Sequence, residues 1–224
     1  MRPPFDLYLV TDRQQTQGRL LPDVVREAVQ AGVPAVQLRE RGLEARELLG
    51  LATTLRAITR QAGALLLIND RLDVALACGA DGVHLPQDGI PPREARHLLG
   101  PDRLIGVSTH SLAEARRAEA GGADFIVLGP IYATPSKLSY GPPRGLEVLR
   151  VVTEQVRLPV LAIGGIKAGN VAEVLGAGAA GVALISAIIA ATDVPAAARA
   201  LRQALAASRH APIGAGHPLV ARIG

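Results

Sequence analysis

The chain has 224 residues, 49% of them hydrophobic, with two Phe, three Tyr, no Trp and one Cys, so its core must be filled by branched aliphatics and Ala, and an internal disulfide is excluded. The formal charge of +4 comes from an excess of Arg, with Lys only at 137 and 167, and the Arg residues are scattered along expected helices, which points to a solvated surface and away from nucleic acid. The opening MRPPFDLYLVTDR lacks the pattern of a secretory leader, so a cytoplasmic protein with no membrane partner is expected.

Along the chain, short β-rich apolar runs alternate with amphipathic stretches rich in Ala, Leu and Arg, the pattern of βαβ units on a parallel sheet. The runs at 7–10 (LYLV), 35–38 (AVQL), 65–68 (LLLI) and 82–85 (GVHL) are each followed by an expected helix, over 20–31, 44–62, 73–78 and 92–99. Those at 104–107 (LIGV), 125–128 (FIVL), 160–163 (VLAI) and 181–185 (GVALI) precede helices expected over 112–121, 145–155, 168–176 and 194–207. Eight such repeats in a chain close to the roughly 250 residues typical of the fold predict an α/β protein, a single-domain (β/α)8 TIM barrel over residues 1–207. Residues 208–224 hold Gly and Pro without a periodic run, and are expected to be a mobile tail or the contact of a homo-oligomer.

Most of these helices end at a Gly (Gly32, Gly63, Gly79, Gly100, Gly121, Gly178), where a left-handed residue stops a helix. A recurring phrase precedes three strands: Gly79-Ala80-Asp81-Gly82, Gly122-Ala123-Asp124-Phe125 and Gly178-Ala179-Ala180-Gly181. It reads as a structural turn at the bottom of the barrel.

Reactive residues of such barrels stand at the C-terminal strand ends. Polar residues gather there: Thr11, Asp12 and Arg13; Gln37 and Arg39 to Arg41; Asn69, Asp70 and Arg71; His84, Gln87 and Asp88; Ser108, Thr109 and His110; Thr134, Ser136 and Lys137. Helix capping serves equally for Asp12, Asp70 and Ser111, but does not explain the whole ring. Strands seven and eight end in Ile163-Gly164-Gly165 and Leu184-Ile185-Ser186-Ala187, each before a helix. Glycine lets an anion approach backbone N–H groups at a helix N-terminus, so a phosphate is expected there ahead of a purely steric need for Gly. The loop at 129–143 (GPIYATPSKLSYGPP) carries two hydroxyls and an ammonium within four residues, which suits phosphate oxygens; an ordinary surface loop is the equal alternative, and its length and prolines suggest a lid.

The strings LYLVTDR, VQLRER, INDR, ADGVHL, GVSTHS, GPIYATPSK, AIGGI and ISAI, in this order from Leu7 to about Ala190, resemble the thiamine phosphate synthase and TenI family. The resemblance implies a synthase that joins 4-amino-2-methyl-5-hydroxymethylpyrimidine diphosphate to a thiazole phosphate and releases diphosphate, with Mg²⁺ as cofactor. It implies that Gln37, Arg39, Asn69 and Lys137 hold the pyrimidine diphosphate, that Asp70 binds Mg²⁺, and that Ser108 lies near the pyrimidine. Thr134 and Ser136 would meet the thiazole phosphate, and Gly164, Gly165, Ile185 and Ser186 would complete the anion grip. Lys137, Ser108 and Arg39 are the expected catalytic residues, acting by position and charge with no protein nucleophile.

Three positions depart from the synthase pattern. Arg41, still a candidate substrate contact, stands for a Lys; Leu138-Ser139 stands for Lys-Asp; and Gly89 stands for a second Mg²⁺-binding Asp, for which adjacent Asp88 is the candidate substitute. The TenI branch isomerises a thiazole carboxylate to its aromatic tautomer with a His at the end of strand six, where this chain has Pro130. His84 and His110 are the alternative bases, with a hydrogen-bonded structural role as the other reading of each. The synthase is the expected function, beside a thiazole tautomerase and a non-catalytic barrel that binds thiazole or thiamine phosphate.

Overall fold

The structure is a computed structural model and describes residues 5–134 and 143–210. The eight apolar runs form parallel strands β1 (Leu7–Val10), β2 (Ala35–Leu38), β3 (Leu65–Asn69), β4 (Gly82–Leu85), β5 (Leu104–Thr109), β6 (Phe125–Leu128), β7 (Val160–Ile163) and β8 (Gly181–Leu184). They pair in sequence order, and β8 pairs with β1 to close the barrel. The helices are α1 (Leu21–Gln30), α2 (Ala45–Gln61), α3 (Leu72–Cys78), α4 (Pro92–Leu99), α5 (Leu112–Ala120), α6 (Gly145–Gln155), α7 (Val171–Gly176), α8 (Ser186–Ile189) and α9 (Val194–His210). No helix among the described residues is long and apolar enough to cross a membrane.

The expected (β/α)8 barrel is therefore the fold, with local differences. β5 continues to Thr109 because Ser108 and Thr109 keep their register with Val127 and Leu128 of β6. The loop after β8 contains a separate short helix, α8, and the expected helix at 168–176 begins as a 3-10 turn at Ala168–Asn170. Helix α9 runs three residues past the expected end at 207, into the segment assigned to the tail. There the Ser208 hydroxyl donates to the Ala204 carbonyl at 2.7 Å and Arg209 pairs with Asp6 at 2.8 Å. The rest of that segment, 211–224, lies outside the described residues. Gly121 is right-handed, with φ −78°, and it is Gly122, at φ +81°, that supplies the left-handed turn after α5.

Alternation along each strand sends one set of side chains outward under the helices and the other into the lumen. The outward set, including Leu9, Val36, Ile68 and Ile105, packs against α1 to α9 in a single aliphatic core. The inward set forms a second cluster around Phe5, Tyr8, Leu67, Phe125, Leu161 and Ala183. Both Phe residues and one Tyr meet there: the Phe5 and Tyr8 rings stand nearly edge-on to Phe125, with centroids 5.2 and 5.7 Å away. Glycine makes the room, since a Cβ on Gly106 would lie 2.3 Å from Phe125 Cζ.

In the two copies of the recurring phrase that carry an Asp, it is a clamp at the lower rim; the third has Ala180 in that place. Asp81 accepts the Leu66 N–H at 2.7 Å and pairs with Arg56 of α2 at 2.7 Å. Asp124 repeats this with the Ile105 N–H and with Arg96 of α4, both at 2.7 Å. Asp81→Ala removes the acceptor of a strand N–H and is expected to cost about 1–3 kcal/mol. Urea unfolding reads this as a lower midpoint, and an unchanged midpoint would show that the clamp does not hold the rim.

Candidate active site

The mouth at the C-terminal strand ends is assembled in three parts. On the β1–β2 side, the Thr11 N–H donates to the Gln37 carbonyl at 2.9 Å, and the Thr11 hydroxyl donates to Glu40 Oε1 at 2.6 Å. Thr11 Oγ1 in turn accepts the Arg39 N–H at 2.9 Å, and both Glu40 oxygens accept the Arg13 N–H, at 3.2 and 3.0 Å. The loop that carries Arg39 is thus tied to β1 through Glu40, whose carboxyl is pushed above its usual range by burial, against the pull of its hydrogen bonds to Thr11 and Arg13. Glu40, inside the RER string, gains this role only where β1 and β2 meet. Gln37 is buried and its amide donates to the Tyr8 hydroxyl at 3.2 Å; burial keeps that phenol neutral. Arg41 is exposed at the rim. Asp12 is a cap, accepting the Gln14 N–H at 3.1 Å.

The β3–β5 side brings Asn69, Asp70 and Ser108 together around His84. Asn69 is the register partner of His84, and the Asp70 N–H donates to the His84 carbonyl at 2.9 Å. Asp70 has a left-handed backbone, φ +64°, which Asp tolerates, and it does not cap α3, whose N-cap is Arg71. The position facing its carboxylate is Gly89: a Cβ there would lie 3.3 Å from Asp70 Oδ1, and 2.8 and 2.9 Å from two Pro86 ring carbons. The chain therefore combines Gly at 89 with a proline ring packed where a side chain would start. Asp88 is exposed, and no group of three or more His, Cys, Asp and Glu among the described residues is arranged to hold a metal ion.

His84 is buried, with Nε2 3.0 Å from Ser108 Oγ and Nδ1 without a partner. Burial, reinforced by the charge of Arg39, pushes its pKa down to about 3, so it is too weakly basic to serve as the proton-transfer base considered above. His110 has the structural reading: its Nδ1 donates to the Gly129 carbonyl at 2.5 Å and its N–H donates to Glu114 at 2.6 Å. Ser111 caps α5 through the Glu114 N–H at 3.3 Å.

On the β6–β8 side the sixth loop folds back on strand seven. Ile131 and Tyr132 N–H groups donate to the Ile163 and Gly164 carbonyls at 2.9 and 3.0 Å, and Arg144 and Gly145 return to Pro130 and Ile131 at 2.7 and 3.1 Å. A Cβ on Gly164 would lie 2.7 Å from Pro130 Cα, and one on Gly165 2.6 Å from Tyr132 Cβ. Both glycines also have positive φ, so the steric need placed second in the sequence is real and the glycine pair alone says less about an anion. Ile185 and exposed Ser186 open α8, whose first N–H groups have no acceptor within the helix. Thr134 is half-buried at the edge of this loop; Ser136 and Lys137 lie outside the described residues.

A family model described as thiamine monophosphate synthase matches residues 7–188. The chain belongs to this family. It is 50% identical over 205 residues to a thiamine-phosphate synthase of Methanoculleus marisnigri, covering 92% of this chain and 97% of that one. A thiamine-phosphate synthase of Moorella thermoacetica is 48% identical over 207 residues, 92% of this chain and 99% of its own. Among solved structures, thiamine phosphate pyrophosphorylase from Pyrococcus furiosus superposes with a TM-score of 0.83 at 40% identity, over 91% of this chain and 96% of that chain. The thiamine monophosphate synthase family is thus the one that the ordered strings resembled.

The neutral His84 gives a pH signature. In the folded state its pKa is about 3 against 6.5 when unfolded, so between those values only the unfolded chain takes up the proton. This contribution to stability is complete above about pH 6.5 and is lost as the pH falls, by up to about 1.4 kcal/mol per pH unit. The pH dependence of the unfolding free energy should be shallower in His84→Gln; equal slopes would contradict a buried neutral imidazole.

Proposed function

We propose that the chain is a thiamine-phosphate synthase that transfers the pyrimidinylmethyl group of 4-amino-2-methyl-5-hydroxymethylpyrimidine diphosphate to the ring nitrogen of a thiazole phosphate. The observation that carries this reading is near-full-length identity of about half to proteins of that name. The bond between the methylene carbon and the diphosphate oxygen breaks with its electrons leaving on diphosphate, and the thiazole nitrogen supplies the pair for the new C–N bond. No protein nucleophile is required, so the chain's work is to hold two anions, stabilise the separating charges and exclude water.

Each part of the mouth suits one task. Gln37, Asn69 and Ser108 face the pyrimidine, and Arg39, Arg41 and Lys137 hold the diphosphate. Thr134, Ser136, Gly164, Gly165, Ile185 and Ser186 receive the thiazole phosphate on the opposite side. The apolar lumen beneath Gln37 and Ser108 lowers the local dielectric, which makes each of these charges count for more than in water. A cytoplasmic enzyme follows from substrates that carry phosphate.

The donor set fits Mg²⁺ of the kind that takes one or two carboxylates and completes its shell with phosphate and water. Asp70 would hold it, with its carboxylate uncommitted to capping and next to Gly89, and Asp88 is the candidate second ligand. Bound there, Mg²⁺ supplies neutralisation of the departing diphosphate.

Incubating the protein with both phosphorylated halves and Mg²⁺ is expected to yield thiamine phosphate and diphosphate, with chelation abolishing the product. Asp70→Asn and Lys137→Ala should each lower kcat/KM by about 10²–10³. Aromatisation of a thiazole carboxylate without metal, or ligand affinity without turnover at high enzyme concentration, would overturn the assignment.

A further inference from the structure

His84 lies in the lumen directly below the mouth, 2% exposed, and none of the roles assigned to the substrates uses it. Its ring is wedged beside Tyr8 and Phe125, at centroid distances of 5.8 and 5.9 Å. Gly106, its register partner on β5, leaves it room, since a Cβ there would lie 2.7 Å from His84 Nδ1. Two residues further along β5, Ser108 Oγ stands 3.0 Å from His84 Nε2, while Nδ1 is buried with no partner.

A neutral imidazole carries one N–H and one lone pair, and the partner of each nitrogen decides which is which. With the proton on Nδ1, a buried N–H would have no acceptor, the rarer and costlier kind of orphan. With the proton on Nε2, the N–H donates to Ser108 Oγ and only the Nδ1 lone pair, beside Gly106, is left unmatched. Ser108 Oγ then accepts from below, and its own O–H turns away from His84 toward the mouth. Among the described residues that hydroxyl has no other hydrogen-bond partner.

We propose that His84 is a positioning residue that fixes its Nε2–H on Ser108 and thereby presents the Ser108 hydroxyl as a donor to a ring nitrogen of the pyrimidine substrate. The identity of the acceptor rests on the synthase reading; the tautomer and the direction of the hydroxyl do not. The arrangement also accounts for Gly106 as the residue that admits the imidazole.

The test has two independent readouts. Long-range proton–nitrogen NMR correlations on the full chain with labelled His, with His84 assigned through its own backbone resonances, should show the proton on Nε2; a proton on Nδ1 overturns the proposal. In steady-state kinetics, His84→Leu should lower kcat by about 10²-fold while the KM for thiazole phosphate holds, and His84→Gln, whose amide N–H replaces Nε2–H, should recover most of that loss. Equal losses in both variants would mark a packing role and overturn the proposal. If either variant fails to fold, the NMR result on the unaltered chain decides. A chain with Nε2 protonated that makes no thiamine phosphate would leave His84 and Ser108 as stated and remove the synthase reading instead.

Discussion

The mouth stands on a floor of packed rings. A closed parallel barrel allows only every second residue of each strand to point inward, and the lumen must be filled or it becomes a costly void. This chain, with only two Phe and three Tyr, places Phe5, Tyr8 and Phe125 there. Small residues face them, Ala35 on β2 and Ala183 on β8, with Gly106 on β5 shaped by the Phe125 ring itself. The polar groups above are therefore fixed in height by the rings below, and Gln37 and Ser108 occupy the next inward positions after Ala35 and Gly106.

That floor also sets the charges of the site. The two titratable rings within it, Tyr8 and His84, are held neutral by burial, so neither competes with the cations above for an anionic substrate. Glu40, the carboxylate nearest to Arg39 in the chain, is tied to Thr11 and the Arg13 N–H and acts as a brace for the Arg39 loop. Asp70 is the acidic group at the β3 end and has no capping role, which suits it to a cation carried in with diphosphate.

Strand positions were legible because a parallel barrel imposes short apolar runs at regular intervals, and all eight lie within two residues of their expected bounds. α8 was hidden because a four-residue helix has no period of its own, and the end of α9 was hidden because Ser208 and Arg209 are held by tertiary contacts. In the site, residue types at strand ends could be read, but partnerships could not. The His84–Ser108 pair depends on strand register, and Glu40 gains its role only where β1 and β2 meet. The Gly164-Gly165 pair was ambiguous in principle, since a glycine that admits a phosphate and one that admits the Pro130–Tyr132 backbone look the same in sequence. At Asp70 the structure separates what sequence left equal, because a left-handed backbone one residue before the N-cap is not a capping geometry.

The proposed function requires one mouth to hold two anions on opposite sides, with the reacting centres between them. A crystal structure of the protein with thiamine phosphate and diphosphate bound tests this most directly. The pyrimidine is expected over Ser108 and Gln37, the diphosphate between Arg39 and Asp70, and the thiazole phosphate beside Gly165 and Ser186 at the ends of β7 and β8. Both anions on the β2–β3 side, or a pyrimidine ring that does not reach Ser108, would contradict it.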